Sequence, residues 1–170
     1  MLKTITNGAL SVSVKARGAE MCSIRSAAGA EYLWQGDPAV WKRQAPILFP
    51  IVGKLANDRY SFEGRSYTLG IHGFARDLDF DLVEEGPGSL TFQLVSATAT
   101  RASYPFDFAL SVRYRLQGAG LEVGFEVVNR GRGVMPFSIG AHPGFALNWG
   151  AGDRVEDYFI EFEKSETVDA

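Results

Sequence analysis

Only two histidines occur in this 170-residue chain, and each lies close to glycine and an aromatic residue. His72 stands in the string GIHGF over residues 70–74, and His142 stands in GAHPGF over residues 140–145. An imidazole gains and loses a proton near neutral pH, and glycine beside it lets a second backbone or a ligand approach closely. We predict that the two segments, about 70 residues apart, meet in one site where strands end. The alternative is that both imidazoles serve only as hydrogen-bonding groups in turns.

The histidines provide too few ligands for a metal centre. The sequence has no His-x-His or His-x-x-x-His pair, and Cys22 is its only cysteine. Zinc sites in proteins need about three or four such ligands, so we predict no metal ion. The single Cys22 also excludes an intrachain disulfide, which is typical of proteins kept in a reducing compartment.

Further candidate residues are basic and aromatic, and the basic ones lie within or beside the irregular segments of the sequence. Arg43, Lys54 and Arg76 are most simply solvated surface cations, but as a group they could hold an anionic or hydroxyl-rich ligand. Large aromatic side chains are core residues by default, and one or two of them could form an apolar platform for the face of a sugar. The aromatic candidates are Trp34, Trp41, Phe74, Phe145 and Trp149.

Alternation of apolar and polar residues dominates the rest of the chain. This period of two predicts antiparallel strands with one buried face and one wet face. The predicted strands cover residues 10–14, 78–82, 90–94, 106–116, 121–127 and 158–162. No amphipathic helix of four turns is evident, so we predict an all-β fold built as a sandwich of large antiparallel sheets.

Two stretches break the alternation, residues 41–54 and 135–145. Pro46 and Pro50 prevent a central strand in the first stretch. Irregular, aromatic-rich backbone between regular strands is where function tends to lie. His142 belongs to the second stretch, whereas His72 lies outside both in sequence.

Composition indicates a folded and mildly acidic protein. Hydrophobic residues make up 46% of the chain, and the formal net charge is −3. Surfaces that bind nucleic acid are usually clearly basic, so we predict no nucleic-acid partner. The apolar run over residues 45–52 is too short to cross a bilayer, and the N-terminus lacks the apolar stretch of a signal peptide. We predict one domain over residues 1–170, located in the cytoplasm and without a membrane partner.

Four strings of the sequence resemble the aldose 1-epimerase (galactose mutarotase-like) family, and within it the LacX-type branch. They are APILFPIVGK at residues 45–54, HGFARD at 72–77, YPF at 104–106 and GAHPGF at 140–145. The resemblance runs in order from the N-terminus to about Lys164. It implies an antiparallel β-supersandwich and a cofactor-free enzyme that interconverts the α and β anomers of a hexose.

The resemblance also implies roles for individual residues. His142 matches the family's general acid, which protonates the ring oxygen, and His72 matches a second histidine that hydrogen-bonds the ring oxygen or C1 hydroxyl region. In relatives that act on hexose 6-phosphates, basic residues at the positions of Lys54 and Arg76 help to bind the phosphate. Simpler family members carry an arginine after an asparagine near Asn57, and here Asp58 follows instead, which leaves the phosphorylation state of the substrate open. Asn57 and Phe145 are further candidates for contact with the sugar.

The length of the chain departs from the resemblance. Family members are about twice as long, and their catalytic glutamate lies in the C-terminal part, for which residues 1–170 offer no match. We therefore expect an incomplete supersandwich without its own general base, and a poor catalyst as it stands. Exposed strand edges should then be covered by a second copy or by a complementing fragment. The alternatives are a non-catalytic carbohydrate-binding or regulatory remnant, and a structural β domain whose histidines only stabilise turns.

Overall fold

Two antiparallel sheets form most of the computed structural model, which describes residues 1–147 and 152–164. The strands are β1 (Leu2–Thr6), β2 (Leu10–Lys15), β3 (Met21–Ser26), β4 (Ile47–Leu48), β5 (Arg59–Phe62), β6 (Arg65–Thr68), β7 (Asp81–Gly86), β8 (Ser89–Val95), β9 (Phe108–Gln117), β10 (Gly120–Asn129) and β11 (Gly140–Ala141). Helical structure in the described part is limited to the single turn α1 (Thr98–Arg101) and to the short 3₁₀ turns Ala56–Asp58, Ala75–Asp77 and Val155–Asp157. The prediction of an all-β antiparallel fold is confirmed.

The larger sheet has the strand order β10-β9-β8-β7, and the smaller has the order β1-β2-β3. In β9, the apolar side chains from Phe108 to Leu116 are buried, whereas Arg113 and Arg115 on the other face are exposed. In β2, Leu10, Val12 and Val14 are buried in the same alternating manner. The inner faces of both sheets belong to one continuous hydrophobic core. The sequence alternation therefore identifies the core-facing residues correctly.

Two of the predicted strands differ in the structure. Residues 158–162 form no strand, and Phe159, Ile160 and Phe162 are 84%, 81% and 63% exposed. A strand requires a hydrogen-bonded neighbour, and no strand of the described residues pairs with this segment. The predicted strand at residues 78–82 is displaced, because the backbone N–H of Phe80 donates to the carbonyl of Ala16 and β7 begins only at Asp81.

The two irregular stretches of the sequence pair with each other. Strand β4 lies antiparallel to β11, with Gly140 opposite Leu48 and Ala141 opposite Ile47. Phe49, directly after β4, forms a parallel bridge to Gly73. These contacts bring the segment of His72 and the segment of His142 to the same strand, β4. No helix among the described residues has the length and apolar character needed to cross a membrane.

Candidate functional site

His72 lies in a tight turn that fixes its imidazole. Its φ angle is 63°, in the left-handed region, and its backbone N–H donates to the carbonyl of Gly53 at 2.8 Å. The backbone N–H of Gly53 donates in return to Nδ1 of the imidazole at 2.9 Å. Because Nδ1 accepts this hydrogen bond, the proton of the neutral ring is on Nε2. His72 therefore presents a donor at Nε2.

The surroundings of His72 favour its neutral form. Partial burial lowers the pKa of His72, and the positive charges of Arg76 and His142 lower this pKa further. Each of these causes penalises the protonated imidazole. The ring therefore acts as a neutral hydrogen-bond donor at neutral pH rather than as a cation.

His142 directly follows β11 and is held by its backbone. Its N–H donates to the carbonyl of Pro46 at 3.1 Å, and the N–H of Gly144 donates to the carbonyl of Gln44 at 2.8 Å. The imidazole contacts the indole of Trp41, with the ring centroids 5.3 Å apart. His142 is itself exposed to solvent, so its ring nitrogens are accessible to a ligand.

The two imidazoles line one open pocket, as the sequence predicts. Their ring centroids are 6.4 Å apart, and the planes of the rings are inclined by 54°. The pocket has a volume of about 340 Å³, within the range of about 300–1,000 Å³ that is usual for small-molecule sites. Its lining consists of Trp41, Lys42, Arg43, Pro46, Leu48, His72, Arg76 and His142.

The pocket wall carries three cationic side chains that are differently restrained. Arg76 donates from one terminal nitrogen to the carbonyl of Ile71 at 2.7 Å, whereas its buried Nε finds no hydrogen-bond acceptor among the described residues. Arg43 donates to the carbonyl of Arg76 and to the carboxylate of Asp77. Asp77 thus holds Arg43 from outside the pocket and lies 3.6 Å from Nε of Arg76. Lys42 is exposed.

The remaining candidates lie elsewhere. Lys54 is exposed and 3.8 Å from the carboxylate of Asp58, and Asn57 is exposed in the 3₁₀ turn Ala56–Asp58. Neither side chain lines the histidine pocket. Phe145 is 62% exposed and borders a separate apolar groove of about 320 Å³ between β3 and β10. Of the aromatic candidates, Trp41 contacts His142, and Trp149 lies outside the described residues.

The lining residues Lys42, Pro46 and Leu48, and Asp77 outside the lining, were not among the site candidates from the sequence. Lys42 precedes Arg43 in the same irregular stretch, and that neighbourhood is the signal that could have found it. Nothing in the sequence identifies Asp77 as the partner of Arg43, because the pairing depends on how two distant segments meet. The described residues that line the pocket include no carboxylate.

Comparison with known proteins gives a consistent result. The family model described as aldose 1-epimerase matches residues 1–170. The chromosomal protein LacX of Lactococcus lactis subsp. lactis is 39% identical over 169 residues, an alignment that covers 96% of this chain and 56% of LacX. The uncharacterized protein YihR of Escherichia coli is 28% identical over 125 residues, covering 68% of this chain and 39% of YihR.

Solved structures resemble the chain over a similar span. A galactose mutarotase related enzyme from Lactobacillus acidophilus superposes with a TM-score of 0.88 at 44% identity, covering 92% of this chain and 53% of that one. A galactose mutarotase-like protein from Lactobacillus casei gives a TM-score of 0.83 at 39% identity, covering 85% of this chain and 50% of that one. The chain therefore spans about half the length of these relatives.

Proposed function

This chain belongs to the aldose 1-epimerase family, and on that premise we propose that its histidine pocket binds a hexose and takes part in anomer interconversion. The observation that carries the proposal is the pair of imidazoles 6.4 Å apart on the wall of one pocket of about 340 Å³. Anomer interconversion needs proton donors near the hemiacetal oxygens, and imidazole is suited to this role near neutral pH.

The two imidazoles have different roles in this proposal. A general base removes the proton of the C1 hydroxyl while His142 protonates the ring oxygen. The bond between C1 and the ring oxygen then breaks, which leaves an aldehyde at C1 and a hydroxyl at C5. Rotation about C1–C2 followed by closure on the other face gives the second anomer and returns the proton to His142. His72, kept neutral with its proton on Nε2, donates a hydrogen bond that orients the ring oxygen or C1 hydroxyl region. Trp41 provides an apolar surface beside His142 for one face of the sugar.

The general base is not among the described residues that line the pocket, because none of these is a carboxylate. We propose that the base is a carboxylate that lies outside this described lining. Removal of an acid–base partner typically costs about 10² to 10⁴ in rate. The same observation favours the second candidate function, non-catalytic recognition of a carbohydrate.

The charge of the pocket bears on the substrate. Lys42, Arg43 and Arg76 lie on its wall, and only Arg43 and Arg76 are restrained by Asp77. Guanidinium and ammonium groups bind phosphate oxygens well, so we propose that a phosphorylated hexose binds more tightly than the neutral sugar. Lys54, which the resemblance also suggests for this role, lies outside the lining. The free thiol of Cys22 is consistent with the proposed cytoplasmic location.

Two measurements on the purified 170-residue chain test these proposals. Titration with D-galactose, D-glucose and D-glucose 6-phosphate, followed by tryptophan fluorescence, should show saturable binding that His142→Ala weakens. No response at high millimolar concentration of any of the three would favour a structural β domain instead.

Polarimetry on α-D-glucose and α-D-galactose then separates enzyme from binding protein. We expect mutarotation that is slow per molecule, because the described lining of the pocket offers no carboxylate as general base. Fast turnover by the 170-residue chain would contradict this explanation.

A further inference from the structure

Glu20 is a buried carboxylate that does not line the histidine pocket. It lies directly before β3, and only 7% of the residue is exposed. Burial of a carboxylate is unfavourable unless hydrogen bonds replace its hydration. A single oxygen of Glu20, Oε1, accepts the backbone N–H of Gln44 at 2.8 Å and that of Ala45 at 3.0 Å.

The two donors need this side-chain acceptor because of their place in the chain. Gln44 and Ala45 are buried and lie outside the strands, so their N–H groups have no partner in a sheet. The side chain of Gln44 is fixed as well, since it donates to the carbonyl of Cys22 at 2.8 Å and accepts from the ammonium of Lys15 at 2.6 Å. Hydrogen bonds with the side chains of Glu20 and Lys15 and with the carbonyl of Cys22 therefore fix the segment before β4.

The same segment carries the loop of His142. The carbonyl of Gln44 accepts the N–H of Gly144, and the carbonyl of Pro46 accepts the N–H of His142. The fit is close, because a Cβ atom at Gly144 would stand 3.0 Å from the indole of Trp41. Two hydrogen-bonded steps thus connect the carboxylate of Glu20 to the backbone of His142.

We propose that Glu20 is a positioning residue for His142, acting through the Gln44–Ala45 segment that Glu20 anchors. Glu20 touches neither the pocket nor any ligand in it. Its effect is on where the imidazole of His142 lies, and hence on how well this ring meets a hemiacetal oxygen. The importance of that position for sugar binding rests on the function proposed above, but the position itself does not.

The experiment is NMR of the imidazole Cε1–H groups in the purified chain, which gives one such signal for each of the two histidines. His142→Ala assigns the signals. In Glu20→Ala, which removes both hydrogen bonds, we expect the His142 ring signal to shift and broaden. The His72 signal should shift less and stay sharp, because Gly53 holds that ring and only the neighbouring His142 ring, 6.4 Å away, has moved. Glu20→Gln retains an oxygen acceptor and should leave the His142 signal close to that of the wild type.

A matched control is available near the opposite end of β3, where Leu10 of β2 pairs with Ser26 of β3. The side-chain oxygen of Asn7 also accepts two backbone N–H groups, those of Ala9 and Leu10, in the turn before β2. Asn7→Ala therefore removes two hydrogen bonds of the same type, here from an exposed side chain, and should leave both histidine signals unchanged. If Glu20→Ala is folded by circular dichroism and gives wild-type His142 signals, the proposal is wrong. If Glu20→Ala does not fold, Glu20→Asp decides, since its shorter side chain cannot reach both donors: a shifted His142 signal supports the proposal and an unshifted one overturns it.

Sugar binding gives a second readout that a purely stabilising role would not change. Loss of one hydrogen bond between His142 and the sugar corresponds to about a tenfold rise in Kd. We expect this rise for D-galactose with Glu20→Ala and less than twofold with Asn7→Ala. If the wild-type chain binds no D-galactose, the proposed function fails, whereas the NMR result still tests Glu20 by itself.

Discussion

Replacement of Gly73 by alanine tests how the His72 turn is held against β4. Gly73 has a φ angle of +67°, and a Cβ atom there would stand 2.3 Å from the carbonyl oxygen of Phe49 and 2.7 Å from Cδ of Pro50. These are rigid backbone and ring atoms, so the turn must move. The same Phe49 carbonyl accepts the N–H groups of Phe74 and Ala75, and a displaced turn weakens both hydrogen bonds.

The magnitude follows from two separate costs. A non-glycine residue in the left-handed region costs roughly 1–2 kcal/mol, and an overpacked contact adds about 1–3 kcal/mol. Gly73→Ala should therefore lower the free energy of unfolding by about 2–5 kcal/mol, which at this chain length lowers Tm by about 4–20 °C. The assay is urea and thermal unfolding followed by circular dichroism.

Two glycine controls separate these costs. Gly64 has φ +75° but no heavy atom within 4 Å of its Cβ position, so Gly64→Ala should lose only the conformational part, about 1–2 kcal/mol. Gly70 has neither a positive φ nor a close neighbour, and Gly70→Ala should change stability by less than about 0.5 kcal/mol. If Gly73→Ala is no less stable than Gly64→Ala, the reasoning about the Phe49 contact is refuted.

Three further predictions concern protonation, a buried hydroxyl and the exposed segment at residues 158–162. The fold lowers the pKa of His72. As pH falls through the ordinary histidine value of about 6.5, the unfolded chain therefore binds more protons than the native chain. The free energy of unfolding should fall on acidification below that pH, and less steeply in His72→Asn, as urea titrations at several pH values would measure. Tyr114→Phe leaves the buried carbonyl of Ala19 without the hydroxyl that donates to it at 2.6 Å and should cost about 1–3 kcal/mol in urea unfolding, whereas an unchanged midpoint would contradict that role. Phe159→Ser, at a side chain 84% exposed, should change stability by less than about 0.5 kcal/mol, and a larger loss would mean that the segment packs against the fold.

The long strands were predictable because their burial is set by a simple period. Leu90, Phe92 and Leu94 face the core in β8 at every second position. The turn at Glu63 and Gly64 likewise joins β5 to β6, as the local sequence indicates. Such features depend on neighbouring residues alone, so one sequence suffices to find them.

The short strands could not be predicted, since their existence depends on distant partners. Strands β4 and β11 have two residues each and pair across a long stretch of chain. Residues 158–162 show the opposite failure, because they alternate like a strand and yet no described strand pairs with them. Alternation reports an amphipathic preference, and pairing requires a neighbour in space.

For the candidate site, the sequence predicted the meeting of His72 and His142 and the presence of Arg76 beside them. It did not predict that Lys54 and Asn57 lie apart from the pocket, or that Asp77 restrains Arg43. Motif spacing gives the order of functional segments, whereas the direction of each long side chain is decided by tertiary packing.

Main-chain hydrogen bonds form much of the frame of the pocket. Gly140 pairs with Leu48 between strands β11 and β4, and the backbone N–H of His142 donates a hydrogen bond to the carbonyl of Pro46. Arg43 links this frame to the segment of Arg76 and Asp77, whereas the side chain of Lys42 is exposed. Substitution of Lys42 should therefore change the charge at the pocket while its frame stays intact, which makes this position the natural first target for varying the ligands that the pocket accepts.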